Sequence, residues 1–227
     1  MTISLKPIIA IDGPAGSGKS TVAKLVAQKL NLFYIDTGAM YRALALKAKQ
    51  QHISPSDEKN IIKLAAGLNV GLDYNQATGE LSVTLDGQDV SDEIRKPYIT
   101  ESVSFIAKIQ KVREHMVELQ RKLADGKKAI LEGRDITTVV FPDAYKKFYL
   151  DANPEERIKR RYLEMKEKNI DIQESRVKED IVGRDEIDST RACAPLKRSP
   201  EAIYIDTTKM SIQEVVDTVI REVGKKL

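Results

Sequence analysis

Cysteine, histidine and tryptophan are nearly missing from this chain of 227 residues, which has one Cys, two His and no Trp. Because Cys193 stands alone, no disulfide can form within the chain, and the reducing cytoplasm is the expected location. The scarcity of thiols and imidazoles also leaves no Cys–His cluster of the kind that holds a structural metal ion. No apolar run approaches the roughly 20 residues of a transmembrane helix, so no membrane partner is expected.

A surplus of one charge is also lacking, since 37 basic residues are balanced by 34 acidic ones. Nucleic-acid-binding proteins generally carry a basic surface, or aromatic side chains interleaved with basic ones, and only 5% of this chain is aromatic. We therefore expect no nucleic-acid partner. Nothing in the sequence marks a large exposed apolar patch, so a monomer is expected.

What the chain does contain is a glycine-rich segment at residues 13–20, Gly-Pro-Ala-Gly-Ser-Gly-Lys-Ser, called the phosphate loop below. It fits the pattern of glycine, four residues, glycine, lysine and serine or threonine. The apolar residues 7–11 before it predict a buried strand, and the apolar spacing in residues 21–30 predicts a helix. Backbone N–H groups of such a loop bind phosphate, so a nucleoside triphosphate is the expected ligand. Lys19 is expected to reach the β- and γ-phosphates, and Ser20 to offer its hydroxyl to Mg²⁺.

Strand-like and helix-like segments alternate along most of the chain, which predicts an α/β fold with a mainly parallel sheet. Helix N-termini are indicated at Asn153-Pro154 and at a capping box that begins at Ser211. The expected core strands are residues 8–11, 32–35, 129–131, 147–150 and 203–205.

One region breaks this alternation. Residues 70–72 and 80–85 are separated by turn-forming residues and predict short antiparallel strands. Residues 96–109 predict a helix. We therefore expect an insert over about residues 64–108, on one edge of the core.

Arginines and acidic residues follow two of the predicted core strands. Asp-Thr-Gly-Ala-Met-Tyr-Arg at residues 36–42 follows the second strand, and Glu-Gly-Arg-Asp at residues 132–135 follows the third. Ligands of open α/β sheets bind beyond the carboxyl ends of the strands, and arginine holds phosphate with two hydrogen bonds. The simpler alternatives are an ordinary helix cap beside a solvated arginine, and a structural Arg–Asp ion pair.

A third set of arginines lies on later helical segments. Arg157 and Arg161 share a helix face with Arg160 close by, and residues 184–191 carry both charges. The highly charged residues 164–175, with a break at Asn169, fit a lid that brings arginines to a transferring phosphoryl group. A merely solvated basic helix is the alternative.

Four motifs in this order, the phosphate loop, D-T-G-A-M-Y-R, E-G-R-D-I-T-T-V-V-F-P-D-A and R-D-x-x-D-S-T-R-A-C-A-P-L, resemble the bacterial cytidylate (CMP) kinases, nearly from end to end. The resemblance implies a P-loop nucleoside monophosphate kinase fold, in which a five-stranded parallel sheet flanked by helices carries an NMP-binding insert and a short lid. It implies phosphoryl transfer from ATP to CMP or dCMP, with Mg²⁺. The implied domains are a core of residues 1–36, 109–153 and 188–227, an NMP-binding domain of residues 37–108, and a lid of residues 154–187.

Site residues also follow from the resemblance, by position. ATP is assigned to Gly13, Pro14, Ala15, Gly16, Ser17, Gly18, Lys19, Ser20 and Thr21, with Ser20 as the metal ligand. CMP is assigned to Thr37, Tyr41, Arg42, Ser104, Arg113, Arg134, Asp135, Arg184, Asp188 and Arg191. Within that set Arg42 and Arg134 hold the monophosphate, Ser104, Arg113 and Asp135 read cytosine, and Arg184 and Asp188 hold the pentose. The residues expected to act on the transferring phosphates are Lys19, Arg157, Arg160 and Arg191.

Without the resemblance, the motifs support only a small phosphate-loop kinase of unknown acceptor. UMP, AMP or shikimate are the alternative acceptors, although a shikimate kinase is shorter and lacks the insert. A GTPase is disfavoured because no Asn-Lys-x-Asp sequence is present. A non-enzymatic, ATP-dependent switch is disfavoured by the absence of a basic stretch interleaved with aromatic residues.

Overall fold

A five-stranded parallel sheet forms the centre of the computed structural model, which describes residues 7–167 and 170–224. In chain order the strands of the described residues are β1 Ile8–Asp12, β2 Phe33–Asp36, β3 Val70–Asn75, β4 Glu80–Leu85, β5 Gln88–Asp89, β6 Ala129–Gly133, β7 Lys146–Asp151 and β8 Ile203–Asp206. The core sheet has the order β2-β6-β1-β7-β8. This confirms the predicted α/β fold and all five predicted core strands.

The structure has eight α-helices among the described residues, and several of them flank this sheet. The eight helices are α1 Lys19–Leu30, α2 Thr37–Gln50, α3 Glu58–Ala66, α4 Pro97–Ile106, α5 Gln110–Ala124, α6 Pro154–Glu167, α7 Glu174–Thr190 and α8 Ile212–Val223, with a short 3₁₀ helix at Glu93–Arg95 and a π-helix at Ile136–Val140. The helices explain why strands such as β1 read as continuous apolar runs, because a parallel strand is covered on both faces. The predicted capping box opens α8, where Ser211 and Glu214 cap each other's backbone.

The insert contains the predicted antiparallel pair, β3 and β4. A third strand, β5, pairs with β4 and was not predicted. The Tyr74 hydroxyl donates to the Lys24 carbonyl oxygen of α1 at 2.9 Å, which fixes the small sheet to the core.

The helix predicted at residues 96–109 is wrong in its length, because α4 ends at Ile106 and α5 begins at Gln110. The Arg113 guanidinium, on α5, donates to the Ala107 carbonyl oxygen at 3.2 Å, so it binds a carbonyl that follows the end of α4. Because a residue of α5 stabilises the break, no glycine or proline is needed there, and the sequence therefore contains no sign of it.

The predicted lid segment contains α6 and α7, which pack on each other through a hydrophobic cluster of their own. Its buried members are Ile158, Met165, Val177 and Ile181. The side chain of Asn153 accepts the Glu155 N–H at 2.8 Å, as predicted for the start of α6. The break expected at Asn169 lies outside the described residues. No helix in the described ranges combines the length and apolar character needed to cross a bilayer.

Candidate active site

Three strands of the core sheet end beside one another and lead directly into the predicted motifs. β1 leads into the phosphate loop, β2 into Thr37, and β6, which lies between them, into Arg134. Because parallel strands share their carboxyl edge, the sheet brings motifs that are about 100 residues apart to one crevice.

Glycines give the phosphate loop its shape. Gly16 and Gly18 have φ angles of 75° and 86°, in the region that favours glycine. A Cβ atom on Gly13 would lie 1.9 Å from the Leu150 carbonyl oxygen, and one on Gly16 would lie 2.8 Å from the Arg157 carbonyl oxygen. Gly18 then precedes α1 and provides no side-chain cap for the helix, a feature typical of helix N-termini that bind anions.

Lys19 is the buried cation of this loop, and its ammonium donates to the Pro14 carbonyl oxygen at 2.7 Å. Burial, and after it the charge of Arg134, lowers the pKa of Lys19 to about 7. A polyphosphate bound beside this ammonium would stabilise its charged form.

A carboxylate lies next to the phosphate loop. The Ser20 hydroxyl donates to Glu132 Oε1 at 2.6 Å, and the Tyr34 hydroxyl donates to the same oxygen at 3.3 Å. No role was assigned to Glu132 from the sequence, although its position, an acidic residue at the end of a buried strand, indicates a functional residue. Thr21 lies exposed in the first turn of α1. Among the described residues no three His, Cys, Asp or Glu side chains form a metal-binding cluster.

Arginines surround Asp188. The Arg134 Nε donates to Asp188 Oδ2 at 2.9 Å, and Arg191 donates to Asp188 Oδ1 at 3.3 Å. Burial raises the pKa of Asp188, but the charges of Arg134, Arg191 and Arg184 outweigh it and lower the pKa below its usual value. Asp188 is therefore held ionised among three cations.

The positive charge of this cluster exceeds what Asp188 offsets. Burial, and after it the positive charge of Arg134, lowers the pKa of Arg184 to about 10. Arg42 pairs with Asp36 at 2.9 Å. Buried nitrogens of Arg42, Arg184 and Arg191 have no hydrogen-bond partner within the described ranges. Unpartnered buried donors on several arginines are what a phosphate site requires.

A buried ion pair lies on the other side of the crevice, between Arg113 and Asp135. The Arg113 guanidinium is 5.8 Å from the centroid of the Tyr41 ring, whose buried hydroxyl finds no partner in the part of the chain described. Ser104 is buried on α4, three residues before the carbonyl that Arg113 binds. Thr37 donates to the Glu132 carbonyl oxygen at 2.8 Å and so fixes the start of α2 against β6.

The arginines of α6 divide between two places. Arg157 donates to the Ala15 carbonyl oxygen at 3.1 Å and pairs with Asp185, so it contacts the phosphate loop directly. Arg160 donates instead to both oxygens of Thr207, at 2.9 and 2.7 Å. The Thr207 hydroxyl lies 3.3 Å from the Ser17 carbonyl oxygen, so Thr207 links Arg160 to the phosphate loop.

Comparison with known proteins places the chain in a family. The family model described as Cytidylate kinase matches residues 9–225. A cytidylate kinase of Caldanaerobacter subterraneus subsp. tengcongensis is 50% identical over 98% of this chain and 97% of its own length. One from Clostridioides difficile (strain 630) is 47% identical over 96% of this chain and 98% of its own. A solved structure of an uncharacterised protein from Eubacterium ventriosum ATCC 27560 covers 97% of this chain and all of that one, with a TM-score of 0.52 at 15% identity, a likeness of fold alone. The family model covers nearly the whole chain, and the relatives share about half of its residues over nearly their full length. The chain therefore belongs to the cytidylate kinase family.

Proposed function

We propose that the protein transfers the γ-phosphoryl group of ATP to the phosphate of CMP or dCMP, giving ADP and CDP or dCDP. The observation that carries this proposal is the set of arginines with unpartnered buried nitrogens, which lies at the same edge of the sheet as the phosphate loop and the buried Arg113–Asp135 pair. A phosphate oxygen of the acceptor attacks the γ-phosphorus, and the bond from that phosphorus to the β–γ bridging oxygen breaks. The attacking oxygen is anionic at neutral pH, so no nucleophilic side chain is required.

The phosphate loop is the donor site in this proposal. Its N–H groups and Lys19 hold the ATP phosphates, and Lys19 offsets charge on the transferring group. Mg²⁺ bound with ATP would neutralise phosphate charge. The oxygen atoms of Ser20 and Glu132, 2.6 Å apart beside the loop, are suitable hard donors for it, because Mg²⁺ keeps most of its waters and takes few protein ligands.

The arginine cluster is the acceptor-phosphate site. Arg42 and Arg134 hold the monophosphate, and Arg191 bridges toward the transferring group. Asp188 and Arg184 hold the pentose hydroxyls. The unpartnered nitrogens of Arg42, Arg184 and Arg191 support these roles, because each has hydrogen-bonding capacity left over.

The base reader consists of Ser104, Arg113 and Asp135. Cytosine offers an amino donor at N4 and acceptors at N3 and O2, which a carboxylate and the donors of arginine and serine complement. Uracil carries an oxygen in place of the amino group, which a carboxylate repels. This chemistry favours CMP over UMP.

Closure completes the site. We assign residues 1–36, 109–153 and 188–227 to the core, residues 37–108 to acceptor binding and residues 154–187 to a lid, whose first helix presents Arg157 and Arg160 to the phosphates. The separate hydrophobic cluster of α6 and α7 supports movement of the lid as one body.

A coupled ADP-release assay with Mg-ATP and CMP, dCMP, UMP, AMP or GMP tests the proposal. Rapid turnover with CMP and dCMP, and little with the purines, is expected. Lys19→Ala should abolish it, whereas Lys29→Ala, an exposed lysine at the far end of the same helix, should not. Turnover independent of the acceptor, or normal turnover in Lys19→Ala, would overturn the assignment.

A further inference from the structure

The last residue of β1 is an aspartate that none of the roles above uses. Asp12 is fully buried and directly precedes Gly13. Its carboxylate accepts three hydrogen bonds, from the Ile136 N–H at 2.9 Å, the Thr137 N–H at 2.7 Å and the Thr137 hydroxyl at 2.6 Å. All three donors lie 124 or 125 residues away, directly after Arg134 and Asp135.

Those two N–H groups open the π-helix Ile136–Val140. The first N–H groups of a helix have no partner within it, and the side chain of the capping residue usually accepts from them. The capping position here is occupied by Asp135, a residue type well suited to the task. Its side chain makes no capping hydrogen bond and pairs with Arg113 instead.

We propose that Asp12 is a positioning residue for the acceptor base: it caps this helix in place of Asp135, which leaves the Asp135 carboxylate free to bind Arg113 and read cytosine. Asp12 touches neither nucleotide and acts through Asp135. Because it adjoins Gly13, the same carboxylate sets the distance between the base reader and the phosphate loop.

The charge state suits this role. Burial raises the pKa of Asp12 to about 6, against the lowering effect of its three hydrogen bonds. The carboxyl group is therefore mostly ionised at neutral pH and accepts all three hydrogen bonds.

The inference rests on the proposed function, and Asp12→Asn tests it in the full-length protein. The carboxamide keeps the shape but turns one acceptor into a donor that faces another donor. We expect the KM for CMP to rise about 10–100-fold, the value for one charge-assisted hydrogen bond. The KM for ATP should rise by less, because Asp12 reaches the donor site only through its charge, which helps to keep the pKa of Lys19 up. Thr137→Val removes only the hydroxyl donor and should raise the KM for CMP by about threefold to tenfold. Ser211→Ala removes the cap of α8, away from this crevice, and controls for general loss of stability.

A double-mutant cycle separates positioning from mere support of the fold. If Asp12 acts through Asp135, then Asp12→Asn should add little to the KM for CMP once Asp135→Asn is present. Additive effects in this cycle, or equal rises in the KM for ATP and CMP, would overturn the inference.

Amide hydrogen exchange gives a readout that needs no substrate. Asp12→Asn should speed exchange at Ile136 and Thr137, and unchanged exchange there would also overturn the inference. A wild-type protein that fails to phosphorylate CMP would instead refute the proposed function, and the exchange result distinguishes the two failures.

Discussion

Above pH 7, binding of ATP should take up a proton from solution, because Lys19 is then mostly neutral in the free protein. With a pKa of about 7, this lysine is only about 10% protonated at pH 8. A bound triphosphate places several negative charges beside the ammonium, which restores the charged form. The expected uptake is therefore about 0.9 proton per ATP at pH 8, and about 0.1 at pH 6.

The same numbers set the pH dependence of affinity. Charging Lys19 costs about 1.4 kcal/mol at pH 8 and twice as much at pH 9, so the Kd for ATP should rise about tenfold between these values. At pH 6 the group is already charged and the dependence should vanish.

Calorimetric titration with Mg²⁺ and a non-hydrolysable ATP analogue, in buffers of different ionisation enthalpy, measures the uptake directly. Lys19→Arg keeps a charge that never titrates in this range, so its uptake should fall to near zero, while Lys29→Arg should behave like the wild type. Uptake below about 0.2 proton at pH 8 in the wild type, or equal uptake in Lys19→Arg, would refute the reasoning.

Three further outcomes are expected. Asp135→Asn should lower kcat/KM for CMP about 10–100-fold and narrow the preference over UMP, since a carboxamide offers uracil a donor; an unchanged CMP to UMP ratio in the coupled assay would count against base reading. Gly16→Ala should weaken ATP binding at least tenfold in direct titrations and cost about 1–3 kcal/mol of stability, because the backbone of Gly16 is left-handed and a Cβ there would meet Arg157. Gly183→Ala is the control, because a Cβ at Gly183 has open space, and it should be neutral or stabilising in thermal melts. The lowered pKa of Lys19 also affects stability, because above pH 7 the unfolded state of the free protein binds more protons than the folded state. The free energy of unfolding, measured relative to Lys19→Met, should therefore rise by up to about 1.4 kcal/mol per pH unit toward pH 10. A difference between the two proteins that does not change with pH in urea titrations would contradict this.

Local patterns were enough to predict the phosphate loop and the core strands. The loop needs glycines at the positions with positive φ and a lysine at a fixed spacing, and both can be read from residues 13–20. β1 was predictable because burial on both faces demands a continuous apolar run. β5 was missed because Gln88 and Asp89 are exposed and carry no such pattern.

Contacts across the sheet were beyond reach of the sequence. Ser20 and Glu132 are 112 residues apart, and no spacing rule connects them. Asp12 reads as an ordinary polar residue between a strand and a loop. Its capping role exists only because β1 pairs in parallel with β6, so that Asp12 lies beside Gly133 and the turn that follows it.

The two carboxylates at this strand pair tie the phosphate loop and the segment after β6 to each other's strands. Glu132 belongs to β6, which leads to Arg134 and Asp135, yet it binds Ser20 of the phosphate loop. Asp12 belongs to β1, which leads to the phosphate loop, yet it binds the helix that follows Asp135. Phosphoryl transfer depends on the attacking oxygen and the γ-phosphorus lying in line at about 3–3.5 Å, so an error in either loop costs rate. Because each loop is anchored to the strand that precedes the other, neither can shift without breaking a short hydrogen bond to a buried carboxylate.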